Sequence, residues 1–211
     1  MTGIKWKVCG LRDNILDVAA LQPDYVGFIF YQKSPRYVGE YFEMPKIIDP
    51  KIKKVGVFVN APMDFVYNTS KKFDLDYVQL HGSESPEYCE KLKKKQIKII
   101  KAFQIDEAFD FDTLKEYETV IDLFLFDTKT QHYGGSGESF DWRILQRYSL
   151  EKEYFLSGGL GLDNIEEIDK LDLNKVHAVD VNSKFEITPG QKNIALLKKL
   201  NERIERLSFD K

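Results

Sequence analysis

KKVGVFVNAPMDFVYNTSKKFDLDYVQLHG, Lys53–Gly82, reads as one complete strand–helix–strand unit. KKVGVFVN is strand-like, Pro62 stands at a helix start, and the helical stretch runs to about Phe73. DYVQLHG then returns to strand. The same unit repeats in both directions along the chain. Towards the N-terminus lie IKWKV, alternating at the two-residue period of a strand, and DYVGFIF, Asp24–Phe30. Towards the C-terminus come IKIIKAF (Ile97–Phe103), VIDLFLFD (Val120–Asp127), Tyr154–Ser157 and Val176–Val181. Between them, Asp13 reads as a helix start, SPEYCEKLKKK opens on Ser85 as N-cap, and a helix begins near Asp163. An amphipathic helix from about Asn193 to Leu207 closes the chain. Eight strands alternating with helical segments is the pattern of a compact (β/α)8 TIM barrel, here a single domain over residues 1–211. A doubly wound open sheet carries the same local signals, and only the count of eight separates the two.

Composition excludes several classes. The apolar fraction is 43% and the formal net charge −3, so no basic excess calls for nucleic acid. The longest apolar runs are too short for a bilayer, and MTGIKWK lacks the apolar core of a signal peptide. Cys9 and Cys89 read as free thiols in a reducing cytoplasm. No two of the three histidines have zinc-ligand spacing, so the expected metal complement is none.

In such a barrel the chemistry sits at the carboxyl ends of the strands. Cys9, after the first strand, is placed either for chemistry or as a small buried hydrophobe. SGGLGLDNI, Ser157–Ile165, offers a glycine pair where barrels often bind phosphate, with Ser183 across the same mouth; a tight turn alone would need the same glycines. Asp127 ends an apolar strand, where it can donate a proton or simply order its loop. The glycine-rich stretch that follows, to about Trp142, is a candidate lid. Arg36 can fork a carboxylate or make a surface ion pair. His81 can be a base, a ligand or a structural histidine.

The motifs KVCGLRD, SPRYV, VGVFVN, VQLHGSE, FLFDTK with YGGSGESFDW, FLSGGLGLDNI and AVDVNSKFE with PGQKN occur in one order along the whole chain. Together they resemble the phosphoribosylanthranilate isomerase family of tryptophan biosynthesis. The resemblance implies a barrel without cofactor or metal, acting on a small phosphosugar as monomer or homodimer. It implies an Amadori rearrangement with Cys9 as general base, Asp127 as general acid and Arg36 holding the anthranilate carboxylate. Gly158, Gly159 and the backbone around Ser183 would bind phosphate, and His81 and Asn182 are expected among the substrate-binding residues. Asn182-Ser183-Lys184 and Asn193 depart from the family's usual SSG and PGxKD. Two other readings keep the same barrel. One is another phosphosugar enzyme, for instance an aldolase-like lyase with Lys101 as Schiff-base lysine. The other is a non-catalytic phosphate-ligand binding barrel.

Overall fold

The computed structural model describes residues 4–128, 142–170 and 175–206. Eight parallel strands pair in chain order and close on themselves: β1 (Lys5–Val8), β2 (Tyr25–Ile29), β3 (Lys53–Phe58), β4 (Tyr77–Leu80), β5 (Ile99–Ile105), β6 (Leu123–Thr128), β7 (Tyr154–Ser157) and β8 (Val176–Val181). Closure by β1 against β8, with Lys7 opposite Asp180, excludes the open sheet. Sequential Asp residues help to set the register at the lower rim. Asp24, Asp76 and Asp122 stand one residue before β2, β4 and β6, and each accepts a backbone N–H from the preceding strand, at Trp6, Lys54 and Ile99 respectively.

The outer layer is thinner than the sequence suggests. The α-helices are α1 (Ile15–Ala19), α2 (Met63–Lys72), α3 (Pro86–Lys94) and α4 (Ile194–Ile204). No helix joins β2 to β3; that connection is turns and loop. Short 3-10 turns at Phe111–Glu116, Trp142–Arg147 and Ile165–Lys170 stand where the other helices were expected. This is how a complete barrel fits into 211 residues. Ser85 caps α3 as expected, accepting from Tyr88 N, with Pro86 in the first turn. Asp13 does not start α1. Asn14 occupies that position, while Asp13 pairs with Arg12 at 2.9 Å. The chain after β7 likewise enters its 3-10 turn at Ile165 rather than near Asp163. The candidate lid lies mostly outside the described residues.

Both faces of each strand are covered, as parallel sheets require. Trp6 and Val8 turn outward into the layer between strands and helices. The alternate positions turn inward. There Tyr25, Val55, Ala102, Leu125, Phe155 and Ala178 fill the lower barrel, and Cys9, Ile29 and Val57 pack above them. A small hairpin, β9 (Glu186–Thr188) with β10 (Gln191–Lys192), follows β8 and folds back against the mouth.

Candidate active site

The carboxyl-terminal mouth holds a cavity of about 220 Å³. Cys9 from β1, Asp127 from β6, His81 after β4, Gly158 and Gly159 after β7, and Asn182 and Ser183 after β8 all line it. The strands bring these residues to one place because each sits at or just past the end of a strand. Cys9, His81, Asp127, Gly159 and Asn182 continue the inward parity, and Gly158 and Ser183 reach the cavity from the turns that follow β7 and β8.

Cys9 is buried and stands beside two lysines that are fully buried themselves. Lys7, one inward step lower on β1, donates to Asp180 Oδ2 at 2.7 Å and to Gln79 Oε1 at 2.5 Å. Lys192, from β10, donates to Asn182 Oδ1 and Glu186 Oε1, both at 2.8 Å. Burial pushes the Cys9 thiol above its ordinary value; Lys7 and Lys192 pull against that, and Asp180 adds to it. Burial also lowers the Lys7 ammonium, but the Asp180 carboxylate beside it, together with Cys9 when that thiol ionises, outweighs this and leaves Lys7 raised. The substrate-free site therefore holds a neutral thiol over a firmly charged ammonium. Asp180 Oδ1 is buried and has no hydrogen-bond partner among the described residues, although Asp180 lines the cavity.

Gly27 makes room for this arrangement. A Cβ there would lie 2.8 Å from Cys9 Sγ and 3.2 Å from Lys7 Cε. Gly27→Ala is expected to displace the thiol and the ammonium together, lowering stability by about 1–3 kcal/mol as overpacked cores do. Thermal unfolding and turnover should fall together; an alanine variant with wild-type turnover would show that the thiol is not constrained there.

On the other side, His81 Nε2 lies 3.4 Å from Asp127 Oδ2, and His81 Nδ1 lies 2.9 Å from Gln79 Nε2. Gly158 and Gly159 have φ of 93° and 62°, left-handed values that favour glycine, so the turn-shape reading of this pair holds as well as the cavity-lining one. Asn164 pins the loop, donating to Gly159 O and accepting from Gly161 N. Arg36 is not on the cavity wall. It forks Glu186 through Nε at 2.9 Å and Nη2 at 2.6 Å, and its Cδ passes 2.7 Å from where a Gly10 Cβ would stand. Burial pushes the Glu186 carboxyl up, but hydrogen bonds from Arg36 and Lys192 outweigh that and hold it low.

A family model for N-(5'-phosphoribosyl)anthranilate isomerase matches residues 6–203. The isomerase of that name from Parabacteroides distasonis is 45% identical over 203 residues, covering 94% of this chain and 92% of its own. The crystal structure of phosphoribosyl anthranilate isomerase from Thermotoga maritima superposes with a TM-score of 0.79 at 32% identity, covering 96% of this chain and 99% of that one. A further isomerase structure, in complex with reduced 1-(o-carboxyphenylamino)-1-deoxyribulose 5-phosphate, gives 0.77 at 29% identity, with coverage of 96% and 99%. The chain belongs to the N-(5'-phosphoribosyl)anthranilate isomerase family. It is an enzyme of that isomerase class.

Within that family the departures of this chain have a local explanation. Asn193 caps α4, its side chain accepting from Leu196 N at 3.2 Å, a role open to Asn and Asp alike. Lys184 lines the cavity but spends its ammonium on Asp163 Oδ2 at 3.1 Å, across Gly161. Lys101, the lysine an aldolase would need, faces away from the barrel interior. Its Nζ donates to Gly82 O at 2.7 Å and Ala102 O at 3.0 Å and pairs with buried Glu84 at 3.3 Å. Among the described residues no group of three or more His, Cys, Asp or Glu could hold a metal ion, and no helix is long and apolar enough to cross a membrane.

The sequence reading gave no role to Lys7, Gln79, Asp180, Glu186 or Lys192. Asp180 and Gln79 were visible as polar residues at strand ends; the others had no signal beyond membership of a motif. The two thiols give a direct check on the electrostatics. Thiolate absorbance should show Cys9 titrating above the free-thiol value of about 8.5. Cys89, buried in α3 and pushed up to about 11, should titrate as a separate step. Lys7→Met should move the Cys9 step still higher, because Lys7 favours the thiolate. A Cys9 step at or below the free value would contradict the burial argument.

Proposed function

We propose that this chain converts N-(5'-phosphoribosyl)anthranilate to 1-(2-carboxyphenylamino)-1-deoxyribulose 5-phosphate in tryptophan biosynthesis, with Asp127 as general acid and Cys9 as general base. The observation that carries the assignment is that Cys9 and Asp127 enter one cavity from β1 and β6, across the ring of strands. An acid and a base acting on opposite sides of one sugar need that placement.

The chemistry proceeds in two proton transfers. Asp127 gives its proton to the ribose ring oxygen as the C1–O bond breaks, and the anthranilate nitrogen lone pair forms the C1=N⁺ iminium. Cys9 thiolate then takes the proton from C2. The C2–H pair becomes the C1=C2 bond, and the iminium π pair returns to nitrogen. The resulting enolamine loses its hydroxyl proton, gains one at C1, and becomes the ketone. The burial that keeps Cys9 neutral in the empty site is offset by the substrate. One positive charge about 4 Å away at an effective dielectric near 20 is worth about 4 kcal/mol, roughly a thousandfold in ionisation. The iminium thus favours the thiolate at the moment a base is required.

The remaining residues hold the substrate. Gly158, Gly159 and Ser183 cradle the phosphate, with the Lys184 ammonium at the edge. Asn182, braced by Lys192, completes that wall. Asp180 Oδ1, without a partner among the described residues, is an acceptor for a sugar hydroxyl. Glu186 occupies the Nε–Nη2 edge of Arg36, and the substrate carboxylate takes the Nη1 side. The test is an assay of the purified protein that follows loss of substrate fluorescence. Turnover supports the assignment; binding without turnover would make the chain a phosphate-ligand barrel instead.

A further inference from the structure

We infer that Gln79 is a positioning residue that fixes the tautomer of His81, so that a ring N–H rather than a ring lone pair faces Asp127. The inference rests on the reading of Asp127 as the general acid. It begins from Lys7, whose ammonium has hydrogens to give and nothing with which to accept. Lys7 Nζ lies 2.5 Å from one end of the Gln79 amide, so that end is the carbonyl oxygen. A flipped amide would set its NH2 against a fully buried ammonium. Gln79 is 1% exposed, and Lys7 is held on its other side by Asp180, so neither group has room to escape the constraint.

The rest of the chain follows by elimination. With the carbonyl committed to Lys7, the Gln79 NH2 faces His81 Nδ1 at 2.9 Å, and Nδ1 has to accept. A neutral imidazole that accepts at Nδ1 carries its hydrogen on Nε2. Nε2 is the atom 3.4 Å from Asp127 Oδ2. That separation is long for a hydrogen bond, as catalytic contacts in ligand-free sites often are. Polarity therefore runs in one direction across the mouth, from the ammonium under Cys9 to the carboxyl of Asp127. Its consequence for catalysis is specific. When Asp127 gives up its proton, negative charge develops on an oxygen that faces a fixed donor, so the donor stabilises the transition state of ring opening. The N–H at Oδ2 also leaves Oδ1 as the oxygen that carries the proton to the sugar.

The test combines a spectroscopic and a kinetic readout. Long-range proton–nitrogen correlation on substrate-free enzyme labelled at the imidazole nitrogens should show His81 protonated at Nε2 and unprotonated at Nδ1. In Gln79→Glu the group facing Nδ1 accepts only, so Nδ1 gains a proton. Asp127 then faces a lone pair or an imidazolium that traps it ionised, and kcat should fall at least about tenfold, the worth of one charge-assisted hydrogen bond. KM should move far less. Gln79→Met removes the donor without adding charge and should lower kcat in the same direction, with Lys7 still paired to Asp180. Wild-type His81 protonated at Nδ1, or Gln79 variants with wild-type kcat, would overturn the inference. Failure of the acid assignment reads differently: Asp127→Asn would then turn over normally while the Nε2–H tautomer remained.

Discussion

Cys9→Ala is expected to lose about three orders of magnitude in kcat while the barrel still folds. A positioned general base contributes about 10²–10⁴ in rate, and among the described residues Cys9 is the one thiol at the cavity. His81 stands on the Asp127 side with Nδ1 engaged by Gln79, and Asp180 is paired with Lys7. Lys192, whose ammonium burial pushes down, is engaged by Asn182 and Glu186. Stability should change little in comparison. The thiol packs against Ile29 and Val57 at the top of the barrel, and alanine deletes only the sulfur from that cluster. The pair of measurements is kcat in single turnover and the unfolding midpoint. Loss of activity with a retained midpoint fits a chemical role, whereas wild-type kcat would return Cys9 to the status of a buried hydrophobe.

Asp127→Asn should lose a similar factor for a different reason. The amide keeps the size and the contact with His81 but cannot supply an acidic proton to the ring oxygen. It should also leave KM nearly unchanged, because the proposed substrate contacts for phosphate and carboxylate, at the β7 and β8 loops and at Arg36, do not involve Asp127. A variant that loses binding instead of kcat would make Asp127 a substrate anchor and move the acid to another group.

Why the fold was legible and half of the site was not has one physical origin. Each strand announced itself by alternation or by a short apolar run, and all eight stand where that pattern put them. In IKWKV the same alternation suggests apolar residues facing a core and lysines facing water. A closed barrel buries both faces. Trp6 and Val8 turn out towards the helices, and Lys7 turns in, fully buried, beneath Cys9. Its partner Asp180 is a hundred and seventy-three residues away in sequence, brought alongside only by the β1–β8 closure. Gln79 is visible within VQLHG as a polar strand-end residue, but its role depends on what stands on both sides of it across the mouth. Gly27 carried no turn signal because its function is space and not backbone shape. Cys9, Asp127 and the glycine pair could be picked out because the rim of a barrel is where chemistry is expected. Arg36 can be a clamp or an ion pair on its sequence alone; its fork holds the buried carboxylate of Glu186 here. The helices that failed to appear reflect packing: short 3-10 turns cover the barrel wherever a few large side chains, such as Phe111, Trp142 and Ile165, bury enough surface.

The division of labour between Cys9 and Asp127 is tested most directly by the kinetic isotope effect of deuterium at ribose C2, measured in single turnover on two variants. Cys9→Ser slows removal of the C2 proton, so that step becomes limiting and C2 deuteration should slow the reaction several-fold. Asp127→Asn slows ring opening instead, and C2 deuteration should then leave the rate almost unchanged. The opposite pattern, an isotope effect in Asp127→Asn and none in Cys9→Ser, would contradict the assignment of base and acid.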